Sequence, residues 1–351
     1  MSSSRRPLAG DAPDLLYENS HFSFGKWRGI PGRANLLDAE KPYSCFLLNL
    51  FKSARLKEWQ AMQIGDSEWF LFVVIYNAKM LTMASIDLWD RKNHRQYSFR
   101  NMSLGSRVKF GDSLYSSDVT FVNADSSLAI YIHPEVGELR LEASCTPRNK
   151  TPIMLDIVTS LANDECLPFS VCLPLAKERA LYSTKVLMHC SGKVQAGEAS
   201  HVFSFSDSAA VLDDHKGYYP YHLHYDWVTA FGILPDKRMA GFNLTDNQVR
   251  DQKTYNENRL WLGSEIYPLP PIKITHPYGR EGSWIIQDTE GMVDLTFYPE
   301  NHHNIELKLG LAEVDYDGPF GHFEGTVRSP AGDEIDASLL YGMGEDKSLQ
   351  L

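Results

Sequence analysis

The stretch LDDHKGYYPYHLHYDW, Leu212 to Trp227, gathers three histidines, three aspartates, four tyrosines, a tryptophan and a lysine. If Tyr219 to Trp227 is extended, alternate residues share a face. Tyr219, Tyr221, Leu223, Tyr225 and Trp227 then form an aromatic face suited to a cavity wall. His222, His224 and Asp226 share the other face. That second set resembles the HxH pairs of barrel metal sites, with Asp226 as a third ligand. No further His–Glu group at ligand spacing supports it, and His302 and His303 point to opposite faces if extended. The expectation is therefore a polar outer face and no metal. Asp213 precedes the strand in the Gly-containing turn DDHKG. It is either a turn cap or an acid in a barrel mouth. In the second case burial raises a carboxyl pKa by up to ~3–5 units and keeps a proton ready to donate.

A second candidate is TYNENRLW, Thr254 to Trp261. Alternation groups Asn256 with Asn258, and Glu257 with Arg259. A pair of asparagines facing a cavity can fix hydroxyl or carbonyl groups; the alternative is a loop leading into the strand RLWLG. A third is GPFGHFEGTV, Gly318 to Val327, whose glycines suit a barrel corner, with Glu324 as a site candidate. The phosphate-loop, GxSxG and HExxH patterns are absent.

Period-2 alternation surrounds these motifs. GELRLEAS sets Leu139, Leu141 and Ala143 against Glu138, Arg140 and Glu142. MVDLTFY sets Val293, Leu295 and Phe297 against Asp294 and Thr296. NIELKLGLAEV sets Ile305, Leu307, Leu309 and Leu311 against Glu306, Lys308 and Gly310. Turn signals lie between them: PEVGE, SGKVQAGE, LPDKR, DTEG and SPAGDE. Short connections leave no room for crossover helices, so antiparallel pairing follows. One short helix is expected at PLAKERALY, Pro174 to Tyr182. Residues 1–20 read as a disordered arm, and the domain change falls near SDSAAVLDD, Ser206 to Asp214.

The chain has 351 residues, 43% hydrophobic and 23% charged, enough for two domains or one large β fold. The net charge of −11 argues against nucleic acid and anionic membrane surfaces. The longest apolar run, WFLFVVIY from Trp69 to Tyr76, falls short of the ~20 residues of a membrane helix and reads as a core strand. No secretory h-region follows the arginines near the N-terminus. Five cysteines without a CxxC pair suggest reduced buried thiols in a cytoplasmic protein.

The ordered blocks LDDHKGYYPYHLHYDW, AGFNLTDNQ, NENRLWLGSE, GMVDLTFYPE and GPFGHFEGTV…DASLLYGMGE resemble the family catalogued as domain of unknown function 2804. RLKEWQAMQIGDSEWFLFVVIYNAKML…IDLWD is similar to that family's first half, so the resemblance spans roughly residues 22–345. The family looks distantly related to lipocalin-like double-barrel proteins, among them carotenoid 1,2-hydratases and tocopherol cyclases. These protonate a double bond of polyene or prenyl substrates. The resemblance implies that Asp213, Tyr221 and Trp227 match an Asp-containing turn before an aromatic strand. Asp214, His215 and Lys216 stand where a Trp–Gly–Arg is usual.

The expected fold is all-β, two lipocalin-like antiparallel barrel or sandwich domains packed together. Residues 21–205 form the first, and 206–351 the second, which carries the pocket. The expected function is a cofactor-independent hydratase, isomerase or cyclase acting on a small apolar or partly oxygenated molecule by acid catalysis. Asp213 would donate the proton, with His222, Tyr221 and Glu257 as its catalytic partners. Tyr219, His224, Tyr225, Asp226, Trp227, Asn243, Asn256, Asn258 and Glu324 would bind the ligand, and a developing cation would rest over the aromatic faces. The rival functions are a carrier of an apolar small molecule and a carbohydrate-active enzyme with paired carboxylates.

Overall fold

The structure is a computed structural model that describes residues 9–43, 45, 48–115, 117–133, 136–148, 150–161, 164–309 and 312–350. Strands take 60% of the chain and helix 4%, which settles the all-β class. Two curled half-barrel sheets pack against each other.

The first sheet runs Arg95–Leu104, Leu81–Asp90, Trp69–Asn77, Lys57–Gly65, Ala209–Gly217, Arg179–Ala196, Ile153–Ser160, Glu138–Cys145, Ser126–His133 and Ser117–Val122. The second runs Glu265–Pro268, Arg259–Leu262, Met239–Asp246, His222–Ile233, Tyr341–Gln350, Phe320–Arg328, Val293–Pro299, Trp284–Asp288 and Ile272–Thr275. Neighbours along both paths pair antiparallel.

Each sheet encloses a core of its own, and a third core lies between the sheets. This explains the two kinds of strand in the sequence. WFLFVVIY is apolar throughout because Leu71, Val73 and Ile75 fill the first sheet's interior while Phe70, Phe72 and Val74 face the other sheet. GELRLEAS has one wet face, and its buried positions alternate as the sequence predicts. Phe70 meets Phe320 and Tyr341 edge-on across the interface, with centroids 5.0 and 5.4 Å apart. Each fully buried aromatic contributes roughly 1.5–3 kcal/mol.

Several expectations are corrected. PLAKERALY is a hairpin, not a helix: Pro168–Ala176 turns back into Arg179–Ala196. Its Leu181 and Tyr182 are buried in cores that a strand reaches. A seven-residue helix lies instead at Asn49–Arg55. The first six residues of SGKVQAGE lie inside a strand, with Gly192 at φ +141° opposite Ile157. NIELKLGLAEV forms two paired strands, Asn304–Leu309 and Ala312–Asp317; Gly310 and Leu311 lie outside the described residues. Of the expected disordered arm, residues 1–8 lie outside the described residues. The rest is built in: Ala9–Asp11 pairs with Gly25–Arg28, and Leu16 is fully buried. The crossing between sheets falls at 218–221 rather than near residue 206, because Ala209–Gly217 pairs on both edges within the first sheet.

In the second sheet Gly342 lies opposite Ala230 on one side and Gly321 on the other. A Cβ on Gly342 would sit 1.8 Å from the Thr229 carbonyl oxygen, so backbone must move to admit one. Gly342→Val is expected to cost at least about 1–3 kcal/mol, as overpacked positions do. Urea unfolding checks it; an unchanged midpoint would contradict the close approach.

Candidate functional site

An open cavity lies between the two sheets; its empty space, open solvent included, is about 1280 Å3. It belongs to both halves of the chain, not to the second alone. Trp59, Phe72, Val74 and Tyr76 come from the first sheet, and Leu223, Tyr225, Trp227 and Leu349 from the second. Ionisable groups are set into these apolar walls, where burial is costly unless they are paired.

The first group is a buried lysine between two carboxylates. Lys185 and Asp213 are cross-strand neighbours. Lys185 Nζ lies 2.8 Å from Asp213 Oδ1 and 3.7 Å from Glu257 Oε2, with the Lys185 side chain 3% exposed. Ser183 Oγ donates to Asp213 Oδ1 at 2.9 Å, and Trp59 Nε1 to Oδ2 at 3.4 Å. Burial alone would raise the Asp213 pKa and is the largest single influence. Lys185, His215 and the Ser183 hydroxyl together outweigh it and hold the carboxyl below its usual range. Lys185 mirrors this: burial pulls its pKa down, but Asp213 and Glu257 bring it above the ordinary value. These neighbours work against the expected protonated Asp213. The surroundings favour the ionised carboxylate, and residues 213–217 are strand rather than turn.

Beside it, His215 stacks on Trp59 with centroids 3.7 Å apart and an interplanar angle of 5°. Its Nε2 shares a hydrogen bond with the Tyr219 hydroxyl. Burial, with help from Lys185 and Lys347, pushes His215 down to about 3, so the ring is neutral near neutral pH.

The second group comes from Tyr341–Gln350. Glu345 accepts from the Tyr316 hydroxyl at 2.9 Å and from Tyr225 at 3.1 Å. Burial pushes its pKa up, and Lys347 and the two tyrosines only partly offset this. Lys347 Nζ stands over four rings, Trp59, Tyr225, Tyr316 and Tyr76, at 5.2, 5.6, 5.6 and 5.9 Å. Thr245 also lines the cavity, and its hydroxyl is buried without a hydrogen-bond partner among the described residues.

Of the predicted residues, Asp213, Glu257, Tyr219, Tyr225 and Trp227 meet in the cavity. Tyr221 and His222 do not. Residues 218–221 are loop, so the alternation begins only at His222; both side chains are exposed and meet edge-on. His224 and Asp226 take the outer face, with Asp226 bonded to His276 at 2.9 Å. His224, Asp226 and Asp346 bring ligand atoms within 4.8 Å of one another, but Arg280 Nε already donates to Asp346 at 2.9 Å. Glu324 is exposed and bonds Tyr298 at 3.0 Å, away from the cavity.

The asparagines act one layer back. Asn243 accepts from Trp227 Nε1 at 2.7 Å and donates to the Glu257 carbonyl at 2.9 Å, fixing both residues. Asn258 accepts from Thr245 N and donates to the Pro270 carbonyl, while Asn256 accepts from Asn258 N. The five cysteines are free, and burial pushes Cys145 and Cys166 up to about 12, far from an activated thiol.

Lys185, His215, Glu345 and Lys347 were not singled out from the sequence. A signal existed for three of them. Lys185 interrupts the otherwise uncharged run ALYSTKVLMHC, and Glu345 and Lys347 share a strand face at a spacing of two.

The family model described as domain of unknown function DUF2804 matches residues 41–350. No curated protein matches the chain. Among solved structures, CghA with Sch210972 is similar at TM-score 0.51 and 9% identity, over 84% of this chain and 88% of that one. Kievitone hydratase from Nectria haematococca is similar at TM-score 0.47 and 11% identity, over the same shares.

Two predictions follow from these electrostatics. Lys185→Met leaves Asp213 and Glu257 buried together without their cation. Breaking such a group costs roughly 3–5 kcal/mol, measurable by urea unfolding; a loss below 1 kcal/mol, the scale of an exposed pair, would contradict the burial. On the opposite strand face, Asp214 accepts from Gln60 at 3.0 Å, and burial raises it from 3.8 to about 6. A carboxyl raised in the folded state holds more protons there than in the unfolded chain between those two values. Stability should therefore fall as pH rises from about 4 to 6, by at most roughly 3 kcal/mol from this group. Asp214→Asn keeps the acceptor for Gln60 and removes the titration. Its stability relative to the native protein should be higher at pH 7 than at pH 4; an unchanged difference would show that Asp214 does not titrate in this way.

Proposed function

We propose that this chain, which belongs to the DUF2804 family, is a cofactor-independent hydratase-, isomerase- or cyclase-type enzyme that moves protons on a small, apolar, partly oxygenated substrate held between its two sheets. One observation carries the proposal. A single apolar cavity holds two carboxyls whose surroundings push them in opposite directions, Asp213 down and Glu345 up. Such a divided pair supplies a base and an acid at the same pH.

In this reading Asp213, kept ionised by Lys185 and Ser183, takes a proton from the substrate. Glu345, pushed towards its protonated form by burial, gives one back. Trp59, Phe72, Val74 and Leu223 hold the apolar body and exclude water. The neutral His215 and the Tyr219 hydroxyl form a polar contact that can orient an oxygen of the substrate. A developing carbocation is disfavoured: the Lys185 ammonium stands in the wall, and Lys347 already occupies the faces of Trp59, Tyr76, Tyr225 and Tyr316. Charge building up on a substrate oxygen suits this site better.

The carbohydrate alternative has less support. Asp213 and Glu257 share one lysine at 2.8 and 3.7 Å, so they stand side by side. Glycosidase carboxyls flank the bond to be cut.

The test incubates the protein with a small-molecule extract in heavy-oxygen water and, separately, in deuterium oxide, and follows isotope incorporation by mass spectrometry. Protein-dependent incorporation into a bound molecule is expected. Asp213→Asn and Glu345→Gln should each lower its rate by ~10²–10⁴-fold, the scale of acid–base catalysis, with the molecule still bound. A molecule retained but never labelled would make the protein a carrier and end the enzyme reading.

A further inference from the structure

Lys347 and Lys185 line the same cavity, yet their situations differ. Lys185 is held by two carboxylates and a cation–π contact to Trp227 at 5.3 Å. Lys347 has no hydrogen bond or ion pair among the described residues. Its strand places it directly across from Tyr225 on one side and Tyr316 on the other. The first sheet closes the enclosure with Trp59 and Tyr76. An amine with no hydrogen bond or ion pair, offset only in part by nearby Glu345, walled by rings and facing the cavity, is open to a partner that the ligand supplies. We propose that the Lys347 amine condenses with a carbonyl carbon, so that the cavity takes an apolar aldehyde or ketone and holds it as a Schiff base.

The chemistry of the enclosure fits. Burial pulls the Lys347 pKa below its ordinary value, and Glu345 and Asp213 only partly offset this, so more of the amine carries its free lone pair. Desolvated lysines in apolar pockets are activated as nucleophiles in this way. The nitrogen attacks the carbonyl carbon and the C=O electron pair moves to oxygen. That oxygen takes two protons, one from the attacking nitrogen and one from an acid, and leaves as water while the C=N bond forms. Glu345 is the acid at hand, two residues away on the same strand face. Protonated, the imine is a cation on nitrogen, and the four rings that surround Lys347 stabilise it. Such an iminium draws electrons from the adjacent carbon, so Asp213 can remove a proton there, which is the first step of shifting a double bond or expelling a hydroxyl. Lys185 cannot take this role, because its carboxylate partners hold it charged.

The inference rests on the acid–base reading of the same cavity and narrows its substrate class to carbonyl compounds. The test uses cinnamaldehyde as the probe, with sodium cyanoborohydride to fix any imine, followed by intact mass and peptide mapping of the full chain. One alkyl group per chain is expected at Lys347, formed faster than at Lys185, since Lys347 is pulled below the ordinary lysine value and Lys185 is held above it. Lys347→Met and Lys347→Arg should both lose the adduct; arginine keeps the charge and much of the length, and guards against a variant that fails to fold. Labelling spread over surface lysines with no enrichment at Lys347, or an adduct that survives in a folded Lys347→Arg protein, would overturn the proposal. The two readings fail separately. Isotope incorporation that persists undiminished in Lys347→Arg overturns the Schiff base alone. An adduct at Lys347 with no incorporation from any extract overturns the enzyme reading and leaves a carbonyl-binding lysine.

Discussion

The site depends on one interaction, the Lys185 ammonium buried between Asp213 and Glu257. Asp213 belongs to the first sheet, and Glu257 lies beside the second, just before the strand Arg259–Leu262. The lysine therefore neutralises charge contributed from both sides of the interface. Bringing the sheets together strips water from all three groups, and none of them is tolerable alone in that position. The stack of His215 on Trp59 and the bond from Trp227 to Asn243 hold the surrounding rings in place. The geometry of the carboxylates is thus tied to the docking of the sheets.

A second set of charges faces the first. Glu345 and Lys347 lie on one strand, and neither is compensated as fully as Lys185. Glu345 is bonded by tyrosine hydroxyls rather than by a cation, and Lys347 is met by ring faces. In the proposed reading, the incomplete compensation is what leaves them available to a ligand. Buried ionisable groups that are fully paired serve structure, whereas those that remain out of balance are the ones that can exchange protons or bonds with a ligand. Asp214 and Lys216 illustrate the structural case. They alternate with Asp213 and His215 along one strand but point away from the cavity, where Gln60, Glu58 and Asp112 meet them.

Much of the fold was legible before any coordinates. Alternation in GELRLEAS and MVDLTFY, and the unbroken apolar run WFLFVVIY, are direct consequences of strands with one or two buried faces. The aromatic face of Leu223, Tyr225 and Trp227 was equally visible, because period 2 holds once a strand has begun. Tyr221 was misplaced for the same reason: local pattern does not say where a strand starts, and the loop at 218–221 broke the count. PLAKERALY was misread as helix because good helix formers outweigh strand residues when neighbours are ignored. Its pairing within the first sheet overrode that local preference.

By itself, then, the sequence determined the class of the protein: strands, their faces, the aromatic wall, and Asp213 and Glu257 as notable carboxylates. Only the tertiary structure decided what those carboxylates are. Burial considered alone favours a protonated Asp213, whereas Lys185 at 2.8 Å favours the ionised carboxylate. That lysine lies 28 positions earlier in the chain, and Glu345 and Lys347 lie more than a hundred later. Protonation state follows from the sum of nearby charges and lost water. Both are set by which strands the fold makes neighbours, a fact that no local stretch of residues contains.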